Sequence, residues 1–400
     1  MKITDLKTYV VGNPPPHHGG QYFVFLKLTT DDNIKGFGEV YGVPFSPHKV
    51  TQLIEDLVER YVIGWDPFKI ELLWRTIYSS GYSQHPDLTT QGVLSGIEIA
   101  CWDIVGKALN QPIYNLLGGQ VHEKLRSYTY LYAAPQTVLP EDRRATSIHT
   151  DPEIAPERAA YYAEQGFTAV KFDPVGPMSA LDPRQLSLEV LENAELVTKN
   201  VREAVGSRCD LLIGTHGQMT TSSAIRLARR LEQFDPLWFE EPVPPENRSE
   251  MARVARFTTI PVATGERLTT KYEFVELLER QAAAILQPAL ARVGGILEAK
   301  KIAGMAEAHY VQMAPHLYCG PLEAAANIQI ATCSPNFLIQ ESIETFGGFY
   351  AELLNEPIKW EDGYIIPPDK PGLGVELNEE VAAQHPYEGT IFPPMATRSE

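Results

Sequence analysis

The feature that most constrains this chain is a rhythm of short apolar runs, each closing on a polar residue, across residues 210–266. The runs read Asp-Leu-Leu-Ile-Gly-Thr-His-Gly-Gln (210–218), Leu-Trp-Phe-Glu-Glu-Pro (237–242) and Pro-Val-Ala-Thr-Gly-Glu-Arg (261–267). Gly214, Glu240 and Glu266 are spaced 26 residues apart. A strand, its covering helix and two loops need roughly 30 residues, so the period is that of repeated βα units. In a barrel of parallel strands the functional groups lie at the C-terminal strand ends. Glu240 and Glu266 are then expected to end adjacent strands and share one mouth. Two carboxylates held together repel unless a cation lies between them, and oxygen ligands favour magnesium over zinc.

The same pattern extends in both directions. Towards the C-terminus, strands are expected at 284–287, 310–316 and 337–341. Towards the N-terminus, one begins near Ser127 and another is Ala169-Val-Lys-Phe-Asp173. Residues 135–156, polar and proline-bearing, read as an exposed insertion. Ahead of this array, alternation predicts an antiparallel meander at 2–12, 22–31 and 35–41, with helical spacing over 50–62, 70–77 and 90–109. Two loops rich in glycine and proline, 13–20 and 43–48, read as flaps over a site. The fold class is thus α/β: a modified TIM barrel, (β/α)7β, with an α+β capping domain built from both termini. The expected divisions are 1–122 (cap), 123–355 (barrel) and 356–400 (a segment returning to the cap).

Bulk properties exclude several roles. A formal charge of -17 argues against nucleic-acid binding, which needs a basic face. Asp5 and Lys7 interrupt the apolar run that a signal peptide requires, and no stretch approaches the roughly 20 apolar residues of a membrane span. Cys101, Cys209, Cys319 and Cys333 show no ligand spacing and read as free thiols. A cytoplasmic enzyme acting on a small molecule as a homo-oligomer, with no membrane or nucleic-acid partner, is the expectation.

Several local motifs, in order and spacing, resemble those of the enolase superfamily, in its mandelate-racemase-like branch of acid-sugar dehydratases. They are Ser95-Gly-Ile-Glu98 with Cys101-Trp-Asp103, Tyr114-Asn-Leu-Leu-Gly-Gly119, Phe239-Glu-Glu-Pro242, Gly265-Glu-Arg267, Val293-Gly-Gly-Ile296, Pro315-His316 and Pro371-Gly-Leu-Gly374. The pattern is most similar to galactonate-dehydratase-like members. The resemblance implies one magnesium held by acids ending the third, fourth and fifth strands. Two of these match, Glu240 and Glu266; the third position is Gly214. A second departure is Gln287-Pro-Ala289, where the family carries an aspartate that orients the strand-seven histidine.

The implied chemistry is removal of the proton α to a carboxylate, with the metal offsetting charge on the enediolate. The resemblance makes His316 the base and His216 the acid for a departing 3-hydroxyl. It makes Lys171 a catalytic or carboxylate-binding group and Glu341 a hydrogen-bond partner of the substrate carboxylate. From the residues themselves, Asp173 lies two positions past Lys171, so strand alternation points both the same way. Asp173 is therefore expected either to supply the carboxylate that Gly214 lacks, as a metal ligand, or to pair with Lys171. Tyr41, His17 and His18 in the flaps are candidate substrate contacts; Glu241 and Asp210 read as supporting residues. The expected activity is a magnesium-dependent lyase converting a sugar acid to a 2-keto-3-deoxy acid. Two alternatives remain: a cycloisomerase opening an anhydro-sugar acid or lactone, and a relative that binds sugar acids without turnover.

Overall fold

The structure, a computed structural model, describes residues 1–133 and 145–389. The chain opens with a three-stranded antiparallel sheet, β1 (Ile3–Gly12), β2 (Tyr22–Thr30) and β3 (Lys35–Val40), in that order. Its inner face is covered by helix Leu88–Ala108. The contact is so close that a Cβ added at Gly36 would lie 2.1 Å from Ala100 O, and one at Gly38 2.0 Å from Gly96 O. The glycines of the third strand therefore exist for helix–sheet approach and not for a flap. Helices Pro47–Leu57 and Ile70–Tyr78 complete this layer around Ile54, Trp74 and Ile97.

Eight short parallel segments follow: β4 (Leu125–Tyr130), β5 (Ala169–Phe172), β6 (Asp210–Gly214), β7 (Trp238–Glu240), β8 (Val262–Thr264), β9 (Ile285–Leu286), β10 (Gln312–Met313) and β11 (Gln340–Ser342). They are hydrogen-bonded as neighbours from β4 to β10, and β11 pairs with β4. Leu338 N donates to Met313 O at 2.8 Å, so the chain ahead of β11 also reaches β10. Tyr128, Ala169, Leu212, Trp238, Ala263 and Ile285, with Ala314 just after β10 and Ile339 just before β11, form a buried cluster of their own. The architecture is α/β with a parallel sheet and a capping layer.

The strand expected at 310–316 is regular only over Gln312–Met313; Pro315 lacks the N–H that would extend the ladder. The expected insertion at 135–156 lies partly outside the described residues. Its described part is not wholly an exposed loop: it contains helix Ala145–Thr150 and the start of Ile154–Glu164, with Ile148 buried in the main core. Segments 360–361 (β12) and 364–365 (β13) form a hairpin whose second strand pairs with β4. Farther on, helix Glu379–Gln384 packs on β1, where Glu379 accepts from Tyr9 and Lys27.

The cap is bound to the parallel sheet through the motifs noted above. Glu98 accepts from the backbone N–H groups of Ile296 (2.7 Å) and Leu297 (2.9 Å), the first two residues of helix Ile296–Ala308, and Ser95 Oγ accepts from Gly294 N at 2.9 Å. Asp103 accepts from Phe37 N and Leu373 N. A carboxylate accepting orphan N–H groups at a helix start is a charge-assisted pairing in the favourable direction. All four cysteines are free and buried. Among the described residues, no helix is long and apolar enough to cross a membrane.

Candidate functional site

The strand ends bring together Lys171, Asp173, His216, Glu240, Glu266, Gln287, His316 and Glu341. Registers explain the convergence: Gly214 pairs with Glu240, and Lys171 lies between Tyr130 and Leu212. Two turns at this edge are held in the left-handed region, at His216 (φ 46) and Glu241 (φ 40). Such backbone is uncommon outside glycine. Here Thr215 Oγ1 donates to Glu240 O and Glu241 O, and Gly217 N donates to Glu241 O at 2.7 Å. Arg267 adds a bond to His216 O while its guanidinium pairs with the fully buried Glu241. Asp210 lies at the opposite strand end, paired with Arg126.

Lys171 is almost fully buried, with Nζ 2.6 Å from Glu240 Oε1 and 3.7 Å from Glu341 Oε1. Burial alone would favour the neutral amine. The carboxylates of Glu240, Glu341 and Glu266 outweigh it and raise its pKa, so it is a fixed cation. Gln287 Nε2 donates to the other oxygen of Glu240 at 2.8 Å, and Leu317 N to Glu341 Oε2 at 2.8 Å. The expected alternative, a Lys171–Asp173 pair, is not what forms; Asp173 faces His216, Oδ2 to Nδ1, at 2.7 Å. At this separation the two form a buried ion pair. Burial disfavours charge on both, yet each stabilises the other: Asp173 is held below the usual carboxylate range and His216 is pushed up to about 10.

The other oxygen of Asp173 explains Gly214. A Cβ added at Gly214 would lie 2.1 Å from Asp173 Oδ1. The carboxylate from β5 thus occupies the room that a side chain on β6 would need. Oδ1 itself is buried without a hydrogen-bond partner.

Across the site, His316 follows β10, four strands beyond β6, with Nε2 3.3 Å from Glu266 Oε2. Burial pushes its pKa down to about 4. Glu266 is lowered to about 2 despite burial, by His316, His216, Lys171 and Arg267. Since His316 is neutral above about pH 4, its help is confined to acid, and the other three hold Glu266 ionised near neutrality. His316 Nδ1 has no hydrogen-bond partner, as the alanine at 289 leads one to expect. Its ring is instead stacked on Tyr41 at 5.7 Å and 26°, and Arg292 covers Tyr41 at 4.7 Å.

The first flap behaves differently. His18 stacks on Tyr132 at 4.1 Å, its Nδ1 3.1 Å from Glu344, and His17 turns back onto Asn13 O. One group escaped sequence reasoning altogether. His149, from the polar stretch, packs edge-on against Tyr130 at 4.7 Å, and burial pushes its pKa down to about 4. No signal in the local sequence marks it.

The donor set is suited to a divalent cation. With all four acids ionised, Asp173, Glu240, Glu266 and Glu341 carry four negative charges against two positive, on Lys171 and His216, and burial raises the pKa of Glu240 and Glu341 against that excess. Asp173 Oδ1 and Glu266 Oε2 are buried without hydrogen bonds, which is costly unless a further partner exists. Even so, among the described residues no three such side chains stand as a ready-made metal cluster; each acid leans on a basic neighbour. A cation would enter by competing with those contacts.

Comparison with known proteins agrees with this geometry. The profile described as "Enolase C-terminal domain-like" matches residues 154–381, and that of the "Mandelate racemase / muconate lactonizing enzyme, N-terminal domain" matches 16–118. A D-galactonate dehydratase of Ralstonia nicotianae is 36% identical over 394 residues, covering 96% of this chain and 94% of that one. A solved structure of a candidate mandelate racemase/muconate lactonizing enzyme from Labrenzia alexandrii has 59% identity and a TM-score of 0.94, covering 98% of both chains. A mandelate racemase/muconate lactonizing enzyme from a Sulfitobacter species has 49% identity and a TM-score of 0.93, covering 97% of this chain and 96% of its own. With paired acids at successive strand ends, both domain profiles matched and relatives aligned over nearly its whole length, this chain belongs to the mandelate racemase/muconate lactonizing enzyme family of the enolase superfamily.

Proposed function

We propose that this protein is a magnesium-dependent sugar-acid dehydratase, removing the proton α to a carboxylate and eliminating the 3-hydroxyl to give a 2-keto-3-deoxy acid. The observation that carries the reading is a pair of histidines on strands far apart in the sheet, flanking buried carboxylates: His316 beside Glu266 and His216 beside Asp173. Their environments favour opposite protonation states, neutral for His316 and charged for His216. A separation of this kind is what assigns base and acid. The relatives named D-galactonate dehydratase support the substrate class. The eight-residue cluster and the β11–β4 pairing support a closed (β/α)7β barrel.

Glu240 and Glu266 would hold the magnesium, with Asp173 supplying the third carboxylate in place of Gly214. When bound, the ion supplies Lewis-acid stabilisation of charge on the substrate's carboxylate oxygens. His316 Nε2 takes the α-proton, and the C–H electron pair moves into the enediolate. His216, with its imidazolium stabilised by Asp173 Oδ2, gives its proton to the 3-hydroxyl as the C3–O bond breaks and water leaves. The resulting enol becomes the 2-keto acid by protonation at C3. Lys171 pairs with the substrate carboxylate, Glu341, whose pKa burial raises, donates to it when protonated, and Tyr41 keeps the plane of His316.

The test is incubation with magnesium, D-galactonate and a panel of other sugar acids in deuterated water. Deuterium, at C3 of the product and at the α-carbon of substrate returned from the enediolate, and a keto acid trapped by semicarbazide are expected from at least one acid. A panel with neither, from folded and metal-loaded protein, overturns the reading. A keto acid of unchanged mass formed from an anhydro-sugar acid or lactone, with none from the open-chain acids, favours the cycloisomerase, whose leaving group is a ring oxygen.

A further inference from the structure

The reaction above uses two histidines, yet a third is built into the same mouth. His149 is carried by helix Ala145–Thr150, part of a stretch whose composition suggests nothing but surface. The segment is firmly seated. Ile148 is buried in the core, Asn193 Nδ2 donates to Thr150 O at 2.8 Å, and Asn200 Nδ2 donates to Pro152 O at 2.8 Å. Both asparagines lie on helix Leu188–Val205, so the segment is fastened at two points beyond the histidine. The imidazole packs edge-on against Tyr130 (4.7 Å, 76°), and that same tyrosine ring has Lys171 Nζ 5.5 Å from its centre. Tyr130 pairs directly with Lys171 in the sheet. His149 is therefore one aromatic ring away from the site, near enough to Asp173 and His216 for their charges to act on it. Its Nδ1 is buried and makes no hydrogen bond.

A buried imidazole nitrogen without a partner costs stability unless a ligand completes it. Sugar acids offer hydroxyls along their length, and each can donate to or accept from such a nitrogen. Resting on the reaction assigned above, we propose that His149 is a substrate-recognition residue that hydrogen-bonds a sugar hydroxyl on the His216 side of the site. Recognition of this kind is discriminating, because an analogue lacking the hydroxyl leaves the buried nitrogen unpaired.

The experiment compares wild type with His149→Phe, which keeps an aromatic ring against Tyr130, and His149→Asn, whose amide can replace Nδ1. Steady-state dehydration and α-deuterium exchange are measured with the best sugar acid from the panel. His149→Phe should raise KM roughly 10- to 100-fold, the worth of one buried hydrogen bond, with kcat changed less than about 3-fold and Tm unchanged. His149→Asn should recover most of the lost affinity. An unaltered KM in His149→Phe overturns the assignment, as does failure of His149→Asn to recover affinity while its Tm stays at the wild-type value. If wild-type protein deuterates no acid at all, the reaction itself falls and this assignment with it, a result read before any variant is made.

Discussion

Gly214→Ala is a one-carbon change whose consequence is set by the neighbouring strand. The new Cβ would lie 2.1 Å from Asp173 Oδ1, 3.2 Å from Lys171 Cε and 3.3 Å from Asp173 Cγ. The closest atom is the end of a side chain, so Asp173 rather than the backbone gives way. Gly214 does not have a positive φ, so no backbone strain confuses the comparison. Displacing the carboxylate lengthens its 2.7 Å contact with His216, leaving buried charges less well paired. Complete loss of one partner of a buried pair costs about 3–5 kcal/mol, and overpacking typically about 1–3 kcal/mol. Because Asp173 moves but is not deleted, a loss of about 1–3 kcal/mol is expected. The pKa of His216 should fall from about 10 towards the ordinary imidazole range, and dehydration should slow. Urea unfolding and NMR titration of His216 read the first two quantities. The decisive arm is a double-mutant cycle: in an Asp173→Ala background, Gly214→Ala should cost little, because nothing remains to be displaced. Equal cost in both backgrounds would refute the reasoning that Gly214 exists to admit Asp173. Restored magnesium affinity in Gly214→Asp/Asp173→Ala would show that the carboxylate can be supplied from either strand.

Other perturbations probe the metal, the base and the cap. Magnesium should stabilise the fold by ~2.7 kcal/mol at one hundred times its Kd, read as a rise in Tm that Glu240→Gln abolishes; an identical rise in the variant would remove Glu240 from the ligand set. His316→Asn should abolish α-deuterium exchange with the fold intact by circular dichroism, and exchange at the wild-type rate would disqualify it as the base. Glu39, buried where the cap meets helix Pro321–Thr332, accepts from Gly320 N and Glu323 N. Burial pushes its pKa up to about 8 from an ordinary 4.5, with the charge of Glu323 adding to the effect. The folded state then holds more protons than the unfolded chain between those values, so this contribution to stability is present below about pH 4.5 and is lost as pH rises through about 8. Urea unfolding from pH 5 to 9 should show Glu39→Gln with a shallower decline than wild type; an unchanged slope would contradict the assignment.

Much of the site could be read from the chain because its carriers are short and regular. Glu240 and Glu266 follow brief apolar runs, and a parallel strand places whatever ends it at one edge of the sheet. Asp173 could be linked to Gly214 only through alternation on one strand and adjacency of the next. That argument left open a pairing with Lys171, which the structure gives to Glu240 instead. Helix Pro321–Thr332 has no polar face because every residue in it is buried, so periodicity had no contrast to detect.

The sequence alone determined which strand ends carry acids and histidines, and that two expected side chains are missing at 214 and 289. Those are properties of local order, where spacing and turn chemistry decide what points where. Only the tertiary structure decided which oxygen fills the room above Gly214, which acid Lys171 neutralises, and that His149 from a polar segment enters the mouth. Each depends on the relative placement of residues far apart in the chain, where a shift of an ångström or two changes a pairing.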